Sequence, residues 1–159
     1  MKSIKILSMV AVMIAVGLLS CKEEEKTVTP TPPVIPNYEL ITTGTWKLSA
    51  RTNVDAVDID GKDGPSKDLY SQMTECWRDD TIKFDSVGVT LRARRYAVKK
   101  CSGDPAIDTK TWSFSSDEKQ LNWDGKTYDI KELNTSKMII NYKFSIPPDN
   151  YDVTETYVH

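Results

Sequence analysis

The feature that most constrains the fold is a series of short segments, from Tyr38 onward, in which apolar and polar residues alternate. In the segment 45–51, Trp46 and Leu48 alternate with polar residues, which predicts Ala50 on the buried face and Arg51 on the exposed face. A period of two places successive side chains on opposite faces of a half-buried β-strand. Eight strands are predicted, at 45–51, 81–85, 89–96, 110–115, two within 120–133, 137–146 and 151–159.

The connections between these segments are short, which predicts antiparallel neighbours. Asp124-Gly125 is a hairpin signal between the two strands of 120–133. Eight antiparallel strands close into a small up-and-down barrel without exposed edges. One segment does not alternate: residues 65–77 space apolar side chains at helical intervals, which predicts one short helix over an end of the barrel. The fold class is therefore all-β, an eight-stranded antiparallel barrel with one short helix.

The first 21 residues follow a different pattern. Two lysines precede the uncharged apolar segment 6–19, which is the order of a secretory signal and is short for a membrane span. Leu18-Leu19-Ser20-Cys21 resembles the lipobox of bacterial lipoproteins, in which the leader is cut before the cysteine and the cysteine is lipidated. The resemblance implies a signal peptide at 1–20 and a lipid anchor on Cys21. The alternative is a plain signal peptide that happens to precede a cysteine.

Residues 21–38 are predicted to form a tether. Lys22-Glu23-Glu24-Glu25 is similar to the signal that sends some Gram-negative lipoproteins to the outer face of the outer membrane; the alternative is a solvated spacer. The segment 27–37 has four prolines and no glycine, so it should be extended and semi-rigid. The resulting prediction is an outer-membrane lipoprotein that carries a barrel domain at 39–159 and faces the cell exterior.

The two other cysteines, Cys76 and Cys101, are predicted to form a disulfide. Outside the reducing cytosol two remaining thiols most simply pair, and a bridge over this separation would stabilise the fold by about 3 kcal/mol in the chain-entropy model. A metal pair and a redox pair are the alternatives, although the spacing is not CxxC. The bridge would hold the predicted helix at a rim of the barrel.

Gly44-Thr45-Trp46 opens the first predicted strand. It resembles the Gly-x-Trp signature of lipocalins, in which the tryptophan closes one end of the barrel. From Leu40 to His159 the chain is similar to bacterial lipocalin-like lipoproteins, on the motifs GTWKL, CWRDDTIKF, TWSF and YDIKELNTSKMII. The resemblance implies a lipocalin-like barrel without implying a particular ligand.

The predicted inward face of this barrel is rich in aromatic side chains. The candidate ligand-binding residues are Trp46, Phe84, Trp112, Trp123, Tyr128 and Tyr142. In larger lipocalins such a lining surrounds an apolar ligand, but an eight-stranded barrel is only just wide enough for its own side chains. Two functions therefore remain open: binding of a small apolar or amphipathic ligand in a hollow barrel, or a filled barrel that acts as a surface interaction module for a protein or glycan.

The sequence does not predict an enzyme or a cofactor. The only histidine, His159, is the last residue, where chains usually fray, so no Ser-His or Cys-His arrangement is expected. Asp79-Asp80 is the best acid-base candidate, but carboxylates in such loops more often bind amides or lysines. The acidic loop 55–64 fails the EF-hand pattern counted from Asp58, so no metal is predicted.

The formal net charge of −2 lacks the basic excess of a nucleic-acid-binding protein, so no nucleic-acid partner is predicted. One basic cluster is present, and its members are Arg92, Arg94, Arg95, Lys99 and Lys100. We interpret it as the solvated face of a strand, with an acidic partner or a lipid headgroup as the alternative.

Overall fold

The computed structural model of the protein describes residues 35–59, 61–62, 64–87, 90–146 and 149–159. The part of the chain from 34 to 159 forms one compact unit. The predicted leader, the lipid anchor at Cys21 and most of the predicted tether lie outside the described residues. Among the residues that are described, none of the helices has the length and apolar character needed to cross a membrane.

Strands make up most of the described structure. In chain order the elements are α1 (Asn37–Thr42), β1 (Trp46–Val57), β2 (Ser66–Asp68), α2 (Glu75–Arg78), β3 (Thr81–Val87), β4 (Thr90–Tyr96), β5 (Ile107–Phe114), β6 (Gln120–Trp123), β7 (Lys126–Leu133), β8 (Lys137–Ile146) and β9 (Asp149–Val158).

Eight of these strands form a closed barrel. Strands β3 to β9 pair antiparallel in chain order, and β1 closes the ring by pairing with β9 on one edge and β3 on the other. This confirms the predicted eight-stranded up-and-down barrel. Strand β2 is additional: it pairs with the far half of β1, where Thr52 lies opposite Asp68, beyond the two β1 residues that pair with β3.

The hairpin between β6 and β7 has the geometry that its sequence requires. Asp124 and Gly125 have φ of 52° and 70°, and Trp123 pairs with Lys126 across them. Positive φ at both central residues is the mark of a type I′ turn, whose twist matches that of the flanking strands. The predicted turn at Asp124-Gly125 is therefore confirmed.

A β-bulge in β1 changes which side chains face the interior. Leu48 pairs with Tyr157 and Ala50 with Thr156, so two steps along β1 match one step along β9. An extra residue reverses the alternation beyond it. The side chain of Arg51 consequently faces the interior of the barrel. The prediction that Ala50 faces the interior and Arg51 the solvent was therefore wrong.

The helix predicted over 65–77 is mostly absent. Residues 66–68 form β2, the next four residues form turns, and only the one-turn helix α2 follows, at 75–78. The cause is local: the Asp68 side chain accepts hydrogen bonds from the backbone N–H groups of Tyr70 and Ser71 at 3.0 and 3.2 Å. Aspartate side chains that bind nearby backbone groups in this way compete with helix formation.

Helix α1, which the sequence did not predict, covers one end of the barrel. Its residue Ile41 is fully buried, and the indole N–H of Trp46 donates to the Ile41 carbonyl at 2.8 Å. Tyr38 of α1 stacks on Trp112, and its hydroxyl donates to Ser86 near the end of β3. The helix therefore closes this end through a buried hydrogen bond and an aromatic contact.

The interior next to α1 is a packed core. Phe84 makes edge-to-face contacts with both Trp112 and Trp123, each with ring centroids 5.5 Å apart. Edge-to-face pairs of this kind stabilise a core beyond their simple burial. The fully or almost fully buried apolar residues of the protein include Trp46, Phe84, Leu121, Met138, Ile140 and Val153.

The Gly-x-Trp motif also orders the end of the chain. Gly44 has φ of +75°, and a Cβ atom built there would lie 3.0 Å from the His159 ring. That ring packs against Trp46 with centroids 3.9 Å apart, and its Nδ1 lies 3.1 Å from the Thr45 carbonyl oxygen. The expectation that His159 frays was therefore wrong, because it packs over the motif that opens β1.

Candidate functional site

A cavity of about 400 Å³ lies inside the barrel at the end away from α1. Strand β3 shows the two ends: Asp80, just before it, lines the cavity, whereas Ser86, near its other end, bonds to α1. Seven of the eight barrel strands contribute to the wall, together with side chains from the segment between β2 and β3. The barrel is thus filled at one end and hollow at the other.

Aromatic side chains form much of the cavity wall. Trp123 packs against Tyr128, and Tyr128 makes an edge-to-face contact with Tyr142 at 4.9 Å between centroids. Tyr157 and Trp77 complete this aromatic lining. Such rings offer flat apolar surface, while their hydroxyl and indole groups can bind polar atoms.

A buried polar network lies among these rings. Arg51 donates from Nη2 to the Tyr142 hydroxyl at 2.7 Å, and its Nε lies 3.4 Å from Glu155 Oε1. Tyr142 and Tyr157 donate their hydroxyl protons to the two oxygens of Glu155, at 3.1 and 2.7 Å. The network holds one positive and one negative charge, and each is bonded within it.

Burial keeps the tyrosine hydroxyls protonated. Desolvation raises the pKa of Tyr128, Tyr142 and Tyr157 well above the usual value of a phenol, and the negative charge of Glu155 raises each of them further. These groups therefore remain hydrogen-bond donors through the whole physiological pH range.

The Tyr128 hydroxyl differs from the other two. Its residue is 95% buried and lines the cavity, yet among the described residues its hydroxyl has no hydrogen-bond partner. The hydroxyl oxygen itself is not among the fully buried polar atoms without a partner, so water or a ligand in the cavity can accept its hydrogen bond. Tyr128 therefore offers a protonated donor to whatever occupies the cavity.

A second ion pair lies nearer the mouth. Asp80 Oδ2 is 3.1 Å from Arg95 Nη1, and Arg95 also lies 3.7 Å from Asp104. The Arg95 guanidinium stacks against the Trp77 ring at 5.7 Å. Burial raises the pKa of Asp80, although the charge of Arg95 opposes this effect. Arg95, predicted to belong to a solvated basic cluster, is therefore part of the cavity wall.

The segment 69–78 covers part of the mouth. Met73 and Trp77 contribute to the lining, and the disulfide between Cys76 and Cys101 ties the segment to the β4–β5 loop, with 5.2 Å between the two Cα atoms. The predicted disulfide is thus present at a rim of the barrel. Gln72 anchors the segment from the other side, since its amide bonds to backbone groups of Val57, Ile59 and Gly64.

The six predicted ligand-binding residues divide between the two ends of the barrel. Trp123, Tyr128 and Tyr142 line the cavity, whereas Trp46, Phe84 and Trp112 pack in the core next to α1. Sequence reasoning named Asp80 and Arg95 in other roles and missed the central ion pair of the wall, Arg51 and Glu155. The inward position of Glu155 follows the alternation of β9, but that of Arg51 depends on the bulge, which left no signal in the sequence.

The acidic loop 55–64 uses one of its carboxylates within the loop itself. The Asp58 carboxylate accepts the backbone N–H of Gly61 at 2.7 Å, and residues 60 and 63 lie outside the described structure. Within the described ranges, no three Asp, Glu, His or Cys side chains are grouped so that they could hold a metal ion.

A comparison with curated proteins found no match. The sequence model of one protein family, described as a lipocalin-like domain, matches residues 42–140. The matched region begins at the end of α1 and reaches into β8, so it includes most of the barrel. The chain therefore belongs to the lipocalin-like domain family.

Proposed function

We propose that this protein binds a small amphipathic ligand in the open end of its barrel. The observation that carries the proposal is the cavity, which has an open mouth, a wall of tyrosine and tryptophan rings and a buried polar network. Volumes of this size are typical of small-molecule sites, and this wall combines five aromatic residues with eight charged ones. A purely apolar ligand would leave those polar groups unsatisfied, so the amphipathic class fits better.

The interaction-module alternative supposes a filled barrel. Only the half of the barrel next to α1 is filled, and the other half is hollow. The cavity therefore favours ligand binding over a function that uses the outer surface alone.

We further propose that the barrel is carried by a lipoprotein of the outer membrane that faces the cell exterior and has no catalytic activity. The support is the LLSC motif at Cys21 and the acidic residues that follow it. Several acyl chains on one cysteine would give stable anchoring. Replacing Cys21→Ser should release the protein from the outer-membrane fraction; retention there with an unchanged mass would contradict the anchor.

Surface display has a separate test. Protease added to intact cells should remove the domain, and replacing residues 22–25 by alanine should protect it. Accessibility that does not respond to this change would contradict the proposed export signal.

The ligand-binding proposal is tested by filling the cavity. Ala93 is 99% buried and lines the cavity, so Ala93→Phe should occupy the space that a ligand needs. Thr111→Phe adds an aromatic ring to an exposed position of β5 and is the matched control. Small molecules that copurify with the wild type, measured by mass spectrometry after extraction, should be lost from the Ala93 variant and kept by the Thr111 variant. Equal retention by both variants would contradict binding in the cavity.

A further inference from the structure

Arg51 is the least exposed cation of the cavity wall, with 20% of its side chain accessible. A buried guanidinium normally attracts a carboxylate or phosphate, because its planar group binds two oxygens at once. Here the ion-pair partner lies within the protein: Glu155 Oε1 is 3.4 Å from Arg51 Nε, without a hydrogen bond between them, and Nη2 donates to Tyr142. The charge that would attract an anionic ligand is already neutralised.

The remaining charges of the wall are balanced in the same way. Arg95 pairs with Asp80, and Lys110 lies 3.5 Å from both Asp108 and Asp124. Lys126, above the Tyr142 ring, is solvent-exposed, so water and salt screen its charge. The wall therefore carries four cations and four carboxylates, with no buried excess of either sign among the described residues.

Two donors of the wall are left for a ligand: the Tyr128 hydroxyl and the Trp123 indole N–H, for neither of which a described residue acts as acceptor, and Asp80 Oδ1 is likewise without a partner. A phenol can donate to the oxygen of an amide, an ester, an ether or an alcohol. A negatively charged acceptor would lie close to the Glu155 carboxylate and would find no free cation in compensation, because Arg51 is already paired with Glu155.

We infer that the cavity selects an uncharged ligand that presents a hydrogen-bond acceptor to Tyr128, and that Glu155 sets this selectivity by neutralising Arg51. The inference rests on the proposed function. An anion would have to displace the Glu155 carboxylate or lie beside it, and a cation would meet Arg51. A neutral ring compound meets neither obstacle and can pack on the aromatic wall.

The size of the cavity limits the ligand as well. At about 30 Å³ for each water molecule, 400 Å³ corresponds to roughly a dozen waters, and so to a ligand of about a dozen non-hydrogen atoms. Suitable probes are 2-naphthamide, 2-naphthoate and 2-naphthamidine, which share one shape and are neutral, anionic and cationic. Calorimetric titration of the full chain in detergent micelles, with empty micelles as the blank, measures all three affinities.

The wild type should bind 2-naphthamide about tenfold or more tightly than either charged probe. Tyr128→Phe should weaken 2-naphthamide roughly two- to tenfold, the effect of one hydrogen bond. Glu155→Gln should leave Arg51 without its ion-pair partner and shift the preference to 2-naphthoate. Arg51→Gln leaves Glu155 without its ion-pair partner and should shift the preference to 2-naphthamidine. This variant provides the reciprocal test if Glu155→Gln does not fold.

Three outcomes would overturn the inference. Equal affinity for the three probes, or preference for a charged probe, would show a ligand site without this selectivity. If Glu155→Gln and Arg51→Gln both keep the wild-type preference among the three probes, Glu155 does not set the selectivity. If no probe binds, but a small molecule copurifies with the wild type and not with Ala93→Phe, the inferred ligand class is wrong and the proposed function stands. If no probe binds and no such molecule is found, the inference and the proposed function both fail.

Discussion

The hydroxyl of Tyr157 donates a 2.7 Å hydrogen bond to Glu155, two positions earlier on the same inward face of β9. Tyr142 on the neighbouring strand donates to the other oxygen of the same carboxylate, so Glu155 joins β8 and β9 inside the barrel. The buried carboxylate receives its hydrogen bonds from these two hydroxyls, and Arg51 lies beside it as the opposite charge. The polar network therefore contributes to the stability of the barrel as well as to its cavity.

Tyr157→Phe should destabilise the protein. Hydrogen bonds to charged groups contribute about 1.5–3 kcal/mol, and this substitution removes one donor from a buried carboxylate. Tyr128→Phe is the matched control, because it removes a hydroxyl without a protein partner among the described residues and should change the free energy of unfolding little. Urea unfolding measures both; equal losses in the two variants would contradict the assigned bonds.

Gly44→Ala should destabilise the protein more than Gly61→Ala. Both glycines have positive φ, so a Cβ atom costs roughly 1–2 kcal/mol of backbone strain at either position. At Gly44 the new atom would also meet the His159 ring, at 3.0 Å, whereas at Gly61 no atom of the described residues lies within 4 Å. The difference in unfolding free energy reports the contact with His159, and it should vanish when that residue is deleted from both variants.

Breaking the Cys76–Cys101 bridge should lower the free energy of unfolding by about 3 kcal/mol, the chain-entropy effect of a loop of this length. It should also free the covering segment that carries Met73 and Trp77, and so speed ligand exchange. The double variant Cys76→Ser with Cys101→Ser, compared with wild type in denaturant, measures the stability. Alkylation without reductant, followed by intact-mass analysis, should find neither thiol modified; two alkylated thiols would contradict the bridge.

The protein should lose stability as the pH rises above about 10, the usual pKa of a phenol. The pKa of Tyr128, Tyr142 and Tyr157 is raised in the folded state, so the folded protein keeps protons that the unfolded chain releases, and alkali therefore favours unfolding. In an absorbance titration, these three of the seven tyrosines should ionise only as the barrel unfolds. Ionisation of all seven in the folded protein would contradict their burial.

The barrel itself could be predicted from the sequence, because alternation with a period of two and short turns are local signals. The Asp124-Gly125 turn illustrates this, since both residues tolerate the positive φ that the hairpin needs. The same local signals gave the wrong prediction of a helix over 65–77. Its apolar spacing is helical, but the Asp68 side chain binds the backbone ahead of it and redirects the chain.

The site was less predictable than the fold. A bulge in β1 brings Arg51 inside, and bulges arise from the pairing of two strands, which neither strand shows alone. Whether an aromatic residue fills the barrel or lines a cavity depends on what covers each end. Trp112 is packed under α1, whereas Tyr128 faces the open end, although both lie at inward positions of their strands.

The central claim is that the open end of the barrel holds a ligand, and it is tested most directly by locating a bound molecule. Intermolecular nuclear Overhauser effects between 2-naphthamide and the protein should connect the probe to the rings of Trp123 and Tyr128, and should be absent for Trp46 in the closed core. Contacts confined to the outer surface of the barrel, or equally strong contacts in the Ala93→Phe variant, would contradict the claim.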